Sequence, residues 1–279
     1  MLKINDSELA VISKYVYELS GIVLDNSKSY LVESRLGPIA EELQCSNYSE
    51  LYYKAKSDQS KRISTRLIDA ITTNETLFFR DNNPFQLLRH KLIPDHIDRI
   101  MENKNGSLPS IKIWSAACST GQEVYSIAII LKELLGDFNK WKISLTGTDI
   151  SDSAIAQASY GKYNKTEISR GLQPDQELKY FIPNGTSSRI KDEIRYIANF
   201  KKLNLLEPFN IVGKFDIILC RNVAIYFKPE NRKNLFERLS QQLNPNGALI
   251  IGSTESLFGV TDIYERKQYM NSTFYTLKS

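Results

Sequence analysis

The sequence predicts an α/β protein: a mostly parallel sheet with helices on both faces, preceded by an all-helical segment and interrupted by a small β insertion. Three observations carry that prediction. Residues 1–70 repeat apolar positions at helical spacing with no strand signal between them. From about residue 105 short apolar runs alternate with amphipathic helices, the mark of a parallel sheet. Between Tyr163 and Asn204 a turn signal flanked by β-prone residues breaks the alternation.

Taken in order, "DSELAVISKYVYELSGI" puts Leu9, Ile12, Val16 and Leu19 on one helical face, with Gly21 as the stop. "LVESRLGPIAEELQ", "NYSELYYKAK" and "KRISTRLIDAITT" read as three further helices, together a small bundle. "SLPSIKIWSAACSTGQEVYSIAIILKELL" is a short apolar strand, a loop of small residues and a helix beginning near Gln122. "KISLTGTDIS" is a second strand, ending in Asp149. Pro183-Asn184-Gly185 supplies the turn of the β insertion. "KFDIILCRNVAIYF" and "GALIIGSTES" are two more buried strands, separated by the helix "PENRKNLFERLSQQL". The alternating "YMNSTFYTLK" is expected as an antiparallel edge strand.

Composition narrows the function classes. At 279 residues, 42% hydrophobic and 24% charged, the chain has an ordinary globular make-up. Its net charge of +4 and its lack of an aromatic–basic stripe argue against nucleic acid as a partner. Cys45, Cys118 and Cys220 are too scattered for a disulfide framework or a zinc site, which fits a reducing compartment. No apolar run approaches the roughly 20 residues that span a bilayer, and the N-terminus lacks a signal peptide's apolar core. A cytoplasmic protein that is not embedded in a membrane is expected. Only His90 and His96 are available, placed as surface or helix-packing residues, so the chemistry is expected to avoid histidine and metal.

Three constellations carry chemistry. In "IWSAACSTGQEVYS" small residues, among them Ala117 and Gly121, let the backbone approach a ligand at a helix N-terminus; the same loop also serves as a tight turn. Asp149, at the next strand's carboxyl end, stands where an acid holds ribose hydroxyls, or it caps the helix that follows. In "CRNVAIYF" Arg221 and Asn222 point into the crevice where open α/β sheets bind ligands, with Tyr226 in reach if a helical turn intervenes. A structural Arg paired with a neighbouring acid is the alternative for Arg221.

Together with the linker "TTNETLFFRD" and with "GSTESL", these motifs resemble those of the CheR family, chemotaxis receptor methyltransferases that use S-adenosyl-L-methionine to esterify glutamates and release S-adenosyl-L-homocysteine. The resemblance rests on Asn74 to Arg80, Trp114 to Ser126 and Cys220 to Phe227, and runs from about residue 5 to the C-terminus. It implies a class I methyltransferase (Rossmann-like) domain at 73–279, including the linker, with the β insertion at about 166–200 and a receptor-docking helical domain at 1–72. It further implies that Asn74, Thr76 and Arg80 reach the cofactor's polar parts, that Glu123 joins the site, and that Asp149 holds the ribose. Asn204 and Leu205 would surround the adenine, and Cys220 and Arg221 would line the methionine end. Tyr226 is the candidate for orienting the acceptor glutamate, with Arg80 or Arg221 balancing charge. Two departures stand out: Gln122 and Val124 replace the Glu and Pro of many members. His96 and Arg99 lie near a second basic residue that the family places after the linker.

The implied partners are the cytoplasmic domains of methyl-accepting chemoreceptors. A C-terminal receptor-tail peptide would add a strand to the β insertion, as in some members, and the protein itself is expected to be a monomer. Residues 1–70 carry nine basic and ten acidic side chains, but Lys54, Lys56, Lys61, Arg62 and Arg66 cluster with only Asp58 among them. That stretch is either an attractor for an acidic receptor segment or a solvated helix face. The competing functional readings are a methyltransferase of another substrate and a cofactor-binding sensor that has lost catalysis.

Overall fold

Asn5 fixes where the first helix begins. Its side chain accepts the Glu8 N–H at 2.9 Å, and the Glu8 carboxylate accepts the Asn5 N–H at 3.0 Å, a reciprocal cap. Helix α1 (Asp6–Ser20) then runs to Gly21, whose φ of 73° closes it in the left-handed region. The other Glu8 oxygen accepts the Tyr48 N–H at 3.0 Å and ties α1 to the start of α3 (Tyr48–Ser57). With α2 (Ser29–Glu42) and α4 (Arg62–Ile71) these helices enclose a core of their own around Ile12, Leu36, Tyr48, Leu51 and Leu67. All four were legible from apolar spacing. The computed structural model describes residues 2–102, 107–209 and 213–278.

A linker, 72–82, leads through the short α5 (Asn83–Leu87) and a π-helical turn, Leu88–Leu92, into α6 (Ile93–Glu102). The main sheet comprises β1 (Ser110–Ala116), β2 (Lys142–Asp149), β6 (Ala198–Lys202), β7 (Phe215–Cys220), β8 (Leu243–Ile251), β9 (Tyr264–Tyr269) and β10 (Ser272–Leu277). Their order is β6-β2-β1-β7-β8-β10-β9. The first five run parallel, and β10 is antiparallel to both of its neighbours, β8 and β9. Chain order reverses between β1 and β7, so the carboxyl ends of β2, β1 and β7 frame a crevice. Helix α7 (Gln122–Leu135) follows β1, α8 (Asp152–Tyr160) follows β2, and α12 (Pro229–Gln241) lies between β7 and β8. One apolar layer gathers Ile113, Ile127, Leu145 and Ile217 on one face of the sheet. Another gathers Trp114, Ile218, Phe236 and Leu249 on the opposite face.

Two expectations need correction. The C-terminal strand β10 is not at the edge: it lies between β8 and β9, and β9 forms the edge. Its partner "YERKQY" exposes Glu265, Arg266, Lys267 and Gln268, charged side chains that suit an open edge but hide a strand from apolar pattern reading. The strands of the small sheet run from 162 to 190, so two of the three lie within the expected 166–200 and the first lies just before it. This sheet is formed by β3 (Lys162–Asn164), β5 (Ser187–Ile190) and β4 (Phe181–Asn184), in that order, with α9 (Lys165–Ser169) and α10 (Pro174–Tyr180) between β3 and β4. Residues 198–200 belong to β6, which pairs with β2 from Leu145↔Ala198 to Asp149↔Lys202, so the main sheet claims them.

Candidate active site

The crevice opens into a cavity of about 930 Å³, its open mouth included. Its floor is the loop after β1. Ala117 (φ 61°) and Ser119 (φ 51°) adopt left-handed backbone that side chains rarely take, and Gly121 follows at φ 94°. The strain is held by hydrogen bonds: Cys118 N–H to the Thr148 carbonyl at 2.8 Å, Ser119 N–H to Asp149 Oδ2 at 2.8 Å, and Gly121 N–H to the Cys118 carbonyl at 3.1 Å. Ala117 lines the cavity and Gly121 does not. A Cβ on Gly121 would lie 2.8 Å from that of Ala158 and 3.1 Å from the Tyr163 hydroxyl. Its small size serves the turn and the approach of α8.

Asp149 is buried at the β2 end, with Oδ2 on Ser119 and Oδ1 accepting the Ser151 N–H at 3.0 Å. Burial pushes its carboxyl above the ordinary aspartate range, although the N–H donors pull the other way. The cap of α8 is the Ser151 hydroxyl, which accepts the Ala154 N–H at 3.1 Å. That leaves Asp149 facing the cavity.

Arg221 lies just past β7 with its side chain 2% exposed. Nη1 donates to Glu123 Oε2 at 2.7 Å, and Nη2 donates to Asp81 Oδ2 at 2.7 Å and to the Arg80 carbonyl at 2.9 Å. Glu123, in the first turn of α7, accepts the Ser115 hydroxyl on its other oxygen at 2.7 Å. Arg221 thus pins the linker to the sheet and to α7 at once: the paired-acid arrangement is present, and the residue also lines the cavity. The Phe79 N–H donates to the Ser126 hydroxyl at 2.9 Å, and Phe78 is buried edge-on against Tyr163 and Phe181. The aromatics anchor the linker while Asn74, Thr76 and Arg80 face the cavity below. Arg80 Nη1 donates back to the Glu75 carbonyl at 2.8 Å.

The far wall is less legible from sequence. Asn204 and Leu205 line it, but the Asn204 amide donates to the Leu19 carbonyl, the last turn of α1, at 3.0 Å. Ser20 and Ile22 therefore also line the cavity, an unexpected contribution from the helical segment. Apolar spacing located the stop at Gly21 but carries no sign of what the turn touches. Ile150, beside Asp149, is a further lining residue that was missed, although its place next to the acid was a usable signal. A 3₁₀ turn, Ala224–Tyr226, brings Tyr226 to the cavity as anticipated. The Val23 N–H donates to the Tyr226 carbonyl at 3.2 Å, and among the described residues no side chain or backbone group engages the tyrosine hydroxyl.

Eleven of the thirteen expected site residues meet at this cavity; Gly121 and Cys220 do not line it. Cys220 is the last residue of β7, and its side chain packs with Trp114 and Ile251 in the core, fully buried. Cys118 lines the cavity instead. His96 and Arg99 lie elsewhere: His96 bonds the Ser110 carbonyl at 2.8 Å, at the opposite end of β1.

Two family models match the chain: "CheR methyltransferase, all-alpha domain" over residues 7–72 and "CheR methyltransferase, SAM binding domain" over residues 74–273. Among curated proteins, the chemotaxis protein methyltransferase of Vibrio parahaemolyticus is 38% identical over 285 residues, covering 99% of both chains. Chemotaxis protein methyltransferase 1 of Vibrio cholerae is 38% identical over 280 residues, again 99% of each. Chemotaxis protein methyltransferase Cher2 of Pseudomonas putida is 35% identical over 269 residues, 95% of each.

Proposed function

Because the chain belongs to the CheR methyltransferase family, whose cofactor is S-adenosyl-L-methionine, we propose that it methylates glutamate side chains on the cytoplasmic domains of chemoreceptors. The products are glutamyl methyl esters and S-adenosyl-L-homocysteine. The observation that carries this reading is the convergence of the linker, Asp149 and the free Tyr226 hydroxyl on one cavity at the sheet's switch point. The residues present fit the cofactor. A buried carboxylate faces the cavity and can accept from two ribose hydroxyls, and a strained small-residue floor lets the backbone approach closely.

The cofactor supplies an electrophilic methyl group on a sulfonium, and the chain's residues arrange the rest. Asp149 would hold the ribose, Asn204 and Leu205 would flank the adenine, and Asn74 and Thr76 would close over the polar parts, since all of them line the cavity. Both Glu123 oxygens already have partners within the chain, so Glu123 acts chiefly by fixing Arg221. The acceptor carboxylate, with an ordinary pKa of about 4.3, arrives ionised and needs no base. Tyr226 donates its hydroxyl to one acceptor oxygen and leaves the other free to attack in line. Arg80 offsets the incoming charge, and the linker excludes water.

Substrate docking falls to the helical domain and the small sheet. In the basic stretch Arg66 is paired with Glu42, whereas Lys54 and Lys56 donate only to neutral groups, the Leu43 carbonyl and the Tyr52 hydroxyl, so the cationic patch is Lys54, Lys56, Lys61 and Arg62. The small sheet ends in β4, whose outer side carries the exposed Ile182, a shape that a receptor-tail strand can extend.

The test uses purified protein, methyl-labelled S-adenosyl-L-methionine and chemoreceptor-bearing membranes. Base-labile label on the receptor that disappears with Asp149→Ala supports the reading. Cofactor binding by calorimetry with no label on any receptor would overturn it in favour of another substrate or a sensor.

A further inference from the structure

The motif "GSTES" at the end of β8 lies outside the cavity lining, yet its acid is tied to the site. Strands β7 and β8 pair in parallel as far as Cys220↔Ile251. Beyond that rung the backbone ladder stops, because Asn222 turns left-handed at φ 58°. The Asn222 and Gly252 N–H groups on the two strands then converge on a single atom: Glu255 Oε2 accepts from Asn222 at 2.8 Å and from Gly252 at 2.7 Å. A turn bond from the Glu255 N–H to the Gly252 carbonyl, 2.9 Å, folds the side chain back to reach them. A Cβ on Gly252 would lie 2.5 Å from Glu255 Oε2 and 3.0 Å from Asn222 Nδ2, so the carboxylate needs a glycine there. The second oxygen, Oε1, is buried and has no partner among the described residues. A solvent-shielded acceptor left unsatisfied is unfavourable and persists where its group performs another task.

We propose that Glu255 is a positioning residue for methyl transfer: it replaces the missing ladder rung and holds Asn222 in its strained conformation, which sets the approach of the segment 222–226 to the cavity. The inference rests on the methyltransferase reading above. Arg221 anchors the chain just before that segment, Glu255 fixes its first residue, and the Val23 bond to Tyr226 fixes its end. Residues for the ribose and adenine lie on other elements, so loss of Glu255 acts on turnover more than on cofactor affinity.

Three variants of the full chain decide it: Glu255→Ala, Glu255→Gln and Gly252→Ala. Gln keeps one oxygen able to accept both N–H groups. Expected for Glu255→Ala are faster amide hydrogen exchange over 221–227, a fall in kcat of at least ~tenfold, and an S-adenosyl-L-homocysteine Kd within ~threefold of wild type. Glu255→Gln restores most of kcat, and Gly252→Ala, by displacing the carboxylate, behaves like Glu255→Ala. The proposal is overturned if exchange over 221–227 is unchanged in Glu255→Ala, or if Glu255→Gln is as impaired as Glu255→Ala. Faster exchange in Glu255→Ala, with no receptor methylation by wild type, would uphold the positioning role and sink the substrate reading instead.

Discussion

Arg221 shows how much one side chain can organise. Its guanidinium satisfies two carboxylates and a carbonyl from two separate elements, the linker and α7, a task that a single ammonium cannot repeat. Arg221→Met should lower unfolding free energy by about 3 kcal/mol, most of it from stranding the nearly buried Glu123, since Asp81 can turn to solvent. Urea denaturation measures this, and a loss below about 1 kcal/mol would mean the triad contributes little. Asp149 makes a pH prediction. In its proposed role on the ribose the ionised carboxylate is the stronger acceptor for two hydroxyls, and burial raises its pKa, so cofactor affinity should fall on acidification at a higher pH than an exposed aspartate would give. The apo protein carries the opposite sign. A raised folded pKa means the folded state binds that proton more tightly, so the penalty of burying Asp149 charged fades as pH falls through the folded pKa. Calorimetric titrations with Asp149→Asn as the pH-insensitive control check the first effect. At this scale the sequence was informative, because Asp149, Arg221, Asn222 and Tyr226 sit in long motifs at strand ends. It misled at Cys220, one residue earlier, where the strand's alternation turns the thiol into the core.

The linker is the element that lays a further wall over the crevice, through Asn74, Glu75, Thr76 and Arg80. It is pressed onto the small sheet's connection so closely that a Cβ on Gly171 would collide with the Phe78 carbonyl oxygen, a backbone atom that cannot rotate away. Gly171→Ala should therefore lift the linker and weaken S-adenosyl-L-homocysteine binding by at least ~tenfold, with the fold of the main sheet retained by circular dichroism. Unchanged affinity would show that the linker tolerates the shift. The linker's motif was readable, but its seat on Gly171 was not, since the two lie far apart in sequence. The same limit hid β9: the helices of the N-terminal segment and the buried parallel strands announce themselves by apolar period, whereas a charged edge strand presents none.

Over the whole molecule, the helical segment and the sheet share one cavity. The end of α1 supplies Ser20 and Ile22 to its wall, and the Gly21 turn packs against Leu206. Ligand binding at 100 times Kd should add about 2.7 kcal/mol to the stability of everything that must be folded to bind. S-Adenosyl-L-homocysteine should accordingly slow hydrogen exchange at residues 19–23 as well as around Asp149, measured by mass spectrometry. Protection confined to the sheet would separate the two parts. None of this was legible in the sequence, where the first helix ends at Gly21 like any other. One consequence concerns hybrids of such chains. A hybrid joined at the linker, with the helical half of one relative and the catalytic half of another, would inherit a mismatched wall. The turn after α1 and the 203–206 loop meet through the Asn204–Leu19 bond and the Gly21–Leu206 contact, so such a hybrid is expected to hold S-adenosyl-L-homocysteine less tightly than one whose two sides of that wall come from a single parent.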